Sequence, residues 1–181
     1  MNRTFLSFFT VAALSTVALA ASPASSTVRD RIKFVHVARN LELKPLAFDS
    51  VQKRQWATQF LVKAPDLHLE TCDCVLSAPL HSADLNYNSQ LSLQFMVSSA
   101  AFMIQHPNIK DPVKIQTAGV EGTLKAYESI LKVDKTARFA FLDHLVQQNN
   151  QGELEKYVAS VSTACGDLTE KSPQRKWRLV P

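Results

Sequence analysis

From Val28 onward the apolar residues of this chain fall three and four apart, the spacing that gathers them on one side of a helix. Val28 to Leu43 predicts a first helix that turns Val28, Ile32, Val35 and Phe34 inward and ends at Pro45. A second begins at Asp49 or Ser50, either able to accept from a free N–H of the first turn. It is expected to bury Val51, Trp56, Phe60 and Leu61, with Pro65 as its stop. Leu67 to Leu76 carries two patterns. Leu67, Leu69 and Thr71 alternate as in a strand, whereas Leu69, Cys72, Val75 and Leu76 share one helical face. No second strand pattern offers a partner, so the segment reads as a helix.

Leu85 to Ile109 contains no Asp, Glu, Lys or Arg. Within it, Leu91 to Ile104 is apolar on most sides, and Gln94, Ser98 and Gln105 form a thin polar stripe. A helix of this kind belongs in the middle of a bundle, with Phe95 and Phe102 deeply buried. The rival is a partner-binding or ligand-lining helix whose polar stripe faces a cleft. The next helix opens on Asp111 as N-cap with Pro112 at the first helical position, a favoured pairing, and runs to about Leu131. Ala118, Gly122 and Ala126 line one stripe of it. Glycine inside a helix costs about 1 kcal/mol relative to alanine, so Gly119 and Gly122 imply close approach of a neighbour, for which the uncharged helix is the natural choice. A ligand pressed into that groove is the alternative.

Asp134 or Thr136 can start a further helix that uses Phe139, Leu142, Leu145 and Val146 and dissolves from Gln147 to Gly152. The last, Glu153 to Cys165, turns Leu154, Tyr157, Val158, Val161 and Cys165 inward, and Gly166 is placed to end it in a left-handed conformation. The fold class is therefore all-α, a single compact bundle of six or seven short helices.

The first twenty residues follow a different rule. A polar start with Arg3 leads into an apolar run from Phe5 to Leu19 and the small-residue exit Ala18-Leu19-Ala20. That is the pattern of a cleaved secretory signal, with the mature chain starting at Ala21. The expected organisation is a signal over 1–20, an all-α domain over 21–170 and a basic, disordered tail over 171–181. No membrane span is expected after the signal is removed. The sole Asn-x-Ser/Thr triplet is Asn2-Arg3-Thr4, inside the signal, which leans towards a periplasmic address.

Charge sharpens this outline. The net +4 is uneven: residues 29–54 hold seven cations and three anions, residues 55–170 eight and thirteen, and the tail adds four more cations. The plain reading is solvated helix faces and a loose tail. The functional reading is a patch for an anionic partner, such as phospholipid headgroups or a wall polymer. Nucleic acid is not expected, because apart from Trp177 no aromatic interleaves with the cations.

Three cysteines in an exported chain imply one disulfide and one remaining thiol. Cys165 lies on an inward helical face, and Cys72 shares a face with Leu69, Val75 and Leu76 while Cys74 does not. A Cys72–Cys165 bridge is expected, worth roughly 4 kcal/mol for so long a loop. Metal chemistry is the rival: His68, Cys72, Cys74 and His81 offer soft ligands for copper(I) or zinc, at a spacing that matches no strong zinc pattern. No nucleophile elbow, glycine-rich phosphate loop or H-E-x-x-H is present. His36, His106 and His144 are scattered, and Glu121 and Glu128 are spaced for salt bridging on one helix face. No cofactor or catalytic residue is assigned. By elimination the chain reads as a small exported helical interaction protein, its partner another protein or an envelope component. A cell-envelope hydrolase with a site assembled in space, or a Cys/His metal carrier, are the alternatives.

Overall fold

The structure, a computed structural model, describes residues 26–64, 66–67, 75–76, 80 and 86–171, with side chains to residue 163. Among the described residues there are six α-helices and no strand: α1 (Val28–Leu43), α2 (Ser50–Lys63), α3 (Asn88–Gln105), α4 (Pro112–Val133), α5 (Ala140–Asn150) and α6 (Leu154–Lys171). A 3-10 turn, Lys135–Ala137, joins α4 to α5. Local chemistry sets several of these boundaries. Thr27 Oγ1 accepts from the Asp30 amide at 3.1 Å to start α1, and Asp111 Oδ1 accepts from the Val113 amide at 2.9 Å to start α4. Asp134 caps the 3-10 turn through the Thr136 amide at 2.9 Å. Asp49 caps nothing. Its carboxylate instead pairs with Lys53 at 2.6 Å, and α2 starts without a side-chain cap.

The close of α5 is a second departure. Rather than fraying, it ends in a Schellman motif: the Glu153 amide donates to the Gln148 carbonyl at 2.9 Å and the Gly152 amide to the Asn149 carbonyl at 3.1 Å. Gly152 holds the left-handed conformation, φ 74°, that this motif requires. Gly166 was expected in that role but lies inside α6, whose backbone stays helical to Lys171.

α3 is the axis of the bundle, because it is apolar on two sides and feeds two cores. Leu91 and Phe95 enter a large C-terminal cluster with Leu124, Tyr127, Ile130, Leu142, Leu145 and Val158. Val97, Ala100 and Ala101 face a smaller N-terminal cluster with Phe34, Ala38, Ala57, Phe60 and Ala64. Each fully buried Leu or Phe contributes roughly 1.5–3 kcal/mol of transfer free energy, so most of the hydrophobic drive lies on the C-terminal side. Tyr127 brings a polar group into that cluster and satisfies it. Its hydroxyl accepts from the Phe139 amide at 2.8 Å and donates to Asp143 at 2.9 Å. Burial raises its pKa above the usual 10. Phe102, expected deep, is half-buried near the end of α3 and tilts against His106 with ring centroids 4.6 Å apart.

The glycines of α4 meet α3 as their position demands. A Cβ at Gly119 would stand 2.2 Å from Ser99 Oγ, and one at Gly122 would stand 2.0 Å from Ser98 Oγ. Only hydrogen fits there, and the groove is filled by α3 itself.

Candidate interaction face

The orientation of α1 decides which of its residues meet solvent. Phe34, Ala38, Leu41 and Glu42 point inward and are buried. Phe34 stacks on Phe60 at 4.6 Å and tilts towards Trp56 at 6.3 Å. Ile32 lies about 160° round the helix from Phe34, at 100° per residue, so both cannot be inside. The aromatic, with the larger area to bury, takes the core position. Val28 and Ile32, expected inward, are 74% and 56% exposed. Val51 of α2, likewise expected inward, is exposed, and Ala57 lies inside with Phe60.

At the other end of the inward face Glu42 locks α1 in this rotation. It is 2% exposed, and its Oε1 accepts from Arg39 at 2.8 Å and from Ser98 Oγ at 2.9 Å. Gln94 donates to Ser98 Oγ at 2.9 Å, and Arg39 also reaches Gln105 Oε1 at 3.0 Å. The polar stripe read in α3 therefore faces α1 and α4 instead of a cleft. A buried carboxylate is tolerable only with such partners, and removing one is costly.

Once α1 is held this way, its outer side carries three aliphatics, Val28, Ile32 and Leu43, the last 69% exposed. Five basic residues share that side and are exposed: Arg29, Lys33, His36, Arg39 and Lys44. At 100° per residue the seven that belong to the helix fall within an arc of roughly 140°, and Lys44 follows as the residue that caps its end. No carboxylate falls in that arc. Each of the three anions between Arg29 and Arg54 is engaged elsewhere. Asp30 accepts from Thr27 Oγ1 at 2.6 Å, Glu42 is buried, and Asp49 is held by Lys53. The hydrogen bond from Lys53 keeps the Asp49 carboxyl below its usual pKa. Lys33 Nζ lies 4.2 Å from the Trp56 ring, a cation–π contact that fixes its height on the face. The turn after α1 adds Phe48, fully exposed at 102%.

Two hollows lie beside this face, and a third, open one of about 750 Å³ lies on it, lined by Thr27, Arg29, Asp30, Ile32, Lys33 and His36. Of the first two, one of about 450 Å³ runs between α2 and α3 and is lined mainly by uncharged side chains, among them Gln55, Thr58, Gln59, Gln90 and Leu93. The other, about 300 Å³, is bounded by Asp30, Trp56, Gln59, Phe60 and Lys63. Neither of the two beside the face brings a histidine together with a carboxylate. The one on the face holds His36 and Asp30, but the Asp30 carboxylate is turned to Thr27 Oγ1 at 2.6 Å and not to the imidazole. Asp143 and His144 diverge as adjacent helical residues must. Asp143 turns to Tyr127 and to Arg138 at 3.2 Å, and His144 is exposed. Glu121 and Glu128 sit two turns apart on α4, Glu128 exposed.

Among the described residues no three His, Cys, Asp or Glu side chains converge to hold a metal ion. His68, Cys72, Cys74 and His81 lie outside the described residues, as does the side chain of Cys165, so the proposed ligand set and the Cys72–Cys165 bridge both fall there. No helix among the described residues is long and apolar enough to cross a membrane. No family model matches the chain, and neither a curated protein nor a solved structure is similar to it. The sequence marks residues 29–54 as a basic patch, but the apolar half of the α1 face was missed because Val28 and Ile32 were assigned to the core. The signal that could have found the face is the run of basic residues at 29, 33, 36, 39 and 44 with no acid at a matching phase.

Proposed function

We propose that this protein is an exported helical interaction module that engages an envelope component or another protein through the outer face of α1. The reading rests on one observation: five basic and three aliphatic side chains share that face without a carboxylate, while every nearby anion is bonded or buried. Charge and apolar area set side by side and turned to solvent favour binding over catalysis. Export follows from the signal-like residues 1–20, and mature protein beginning at Ala21 is its expected product.

The test is retention in the cell. Arg29→Glu with Lys44→Glu reverses two exposed cations that make no side-chain hydrogen bond or ion pair among the described residues, so the melting temperature should hold. The parent protein is expected to fractionate with the envelope, and the double variant to move to the soluble fraction. A double variant retained like the parent sinks the proposal.

A further inference from the structure

We infer that the occupant of the α1 face is the headgroup layer of an anionic phospholipid membrane. This rests on the reading of α1 as the binding face and names its partner. At 100° per residue the face has two borders of different chemistry. Val28, Ile32 and Leu43 fall together over roughly 60° of arc, crossed only by Arg39, which is tied to Glu42 and Gln105. Arg29, Lys33 and His36 fall together on the adjoining 60° or so, and Lys44 follows at the helix end. An aliphatic strip edged along one side by cations suits a helix lying flat in a membrane interface. The aliphatics enter the boundary of headgroups and acyl chains, and the cations reach the phosphates.

An acidic protein partner fits less well. Protein interfaces concentrate energy in a packed centre of aromatic or arginine anchors, whereas the apolar members here are three separated aliphatics. The fully exposed Phe48, in the turn that continues from Leu43, adds an aromatic at one end of the helix and not at its middle. Charge complementarity excludes a cationic surface, since the arc offers no acid to pair with it, and disfavours a zwitterionic one, which has no net negative charge to draw the cations in. The rest of the fold leaves α1 free for this task. Phe34, Ala38, Leu41 and Glu42 hold it from the other side, so Val28, Ile32 and Leu43 can enter the interface without costing the core a contact.

Co-sedimentation with vesicles tests the inference, using the whole protein as its own cells deliver it. Phosphatidylglycerol-rich vesicles are expected to take the protein down at low salt and release it at high salt, and pure phosphatidylcholine vesicles to leave it in solution. Arg29→Glu with Lys44→Glu should weaken binding about tenfold or more, since each basic residue near such a surface is worth roughly a fivefold change. Val28→Asn with Ile32→Asn should weaken it without changing its salt dependence, which separates insertion from mere attraction. Dichroism and melting confirm that both variants are folded. Binding that ignores vesicle charge, or survives the charge reversal, overturns the inference. So does absence of binding to anionic vesicles. If that absence accompanies envelope retention that the same double variant abolishes, the partner is a protein or a wall polymer and the interaction reading stands without the lipid.

Discussion

The two clusters that α3 joins are packed on different plans. The C-terminal cluster is built from Leu, Ile, Phe and Tyr, with Leu124, Ile130, Leu142 and Leu145 essentially without exposure. The N-terminal one is dominated by alanines, Ala38, Ala57, Ala64, Ala100 and Ala101, wedged by Phe34 and Phe60. The first fills space with side-chain volume. The second works by bringing helix backbones close, as the glycines of α4 also do where they meet Ser98 and Ser99. A helix with large residues on one side and small ones on the other can serve both plans at once. That is why α3 carries no charge, and why its buried Gln94 and Ser98 lie on the seam between the clusters.

The largest expected effect tests the volume plan. Phe95→Ala should cost about 3–5 kcal/mol in denaturant melts, the range for a buried phenylalanine that leaves a cavity. Phe102→Ala, at the half-exposed end of α3, should cost distinctly less. Equal losses at the two positions would mean that α3 is not asymmetric along its length. Close approach is tested next. Gly122→Ala places a methyl 2.4 Å from Ser98 Cβ and 2.8 Å from Glu42 Oε1, and overpacking of this kind costs about 1–3 kcal/mol. Combining it with Ser98→Gly should recover part of the loss. Strictly additive penalties would show that the helices are not held at this distance by the pair.

The smallest effect belongs to the rim of the large cluster. Asp134 accepts hydrogen bonds from Thr136, and from the Tyr87 hydroxyl at 2.9 Å, and these hold its carboxyl below the usual 3.8. A depressed carboxyl stabilises the fold above its unfolded pKa, and the contribution is lost as pH falls through the folded value. Asp134→Asn should therefore lower the melting temperature near neutrality, and its difference from the parent should shrink between roughly pH 5 and 2. A difference that stays constant across that window would place the effect in the amide's geometry and not in charge.

Helix extents were far more legible in sequence than helix rotations. The bounds of α1 were read as Val28 to Leu43 and match, because Thr27 caps one end and Pro45 follows the other. Asp111 and Pro112 fixed the start of α4 just as clearly. Rotation failed in α1 because apolar residues occur at both phases, Val28 and Ile32 on one and Phe34 and Ala38 on the other. Periodicity alone cannot rank them, and the ranking came from aromatic partners in α2, far along the chain. The interaction face was hidden by the same error. The buried Glu42 left a trace in its spacing from Phe34, Ala38 and Leu41, but its acceptance in a core depends on Ser98 and Arg39, which only tertiary packing brings to it.

That meeting of Glu42, Ser98 and Gly122 has a consequence for how the sequence can drift. The three positions lie on three different helices, yet they share one small volume. A lineage that enlarges residue 122 must shrink residue 98, and one that loses the acid at 42 loses the reason for a hydroxyl at 98. Descendants that keep the crossing should therefore change these letters in concert, while Val28, at the far end of the same helix, and Lys44, just past its close, remain free to vary one at a time as far as folding is concerned.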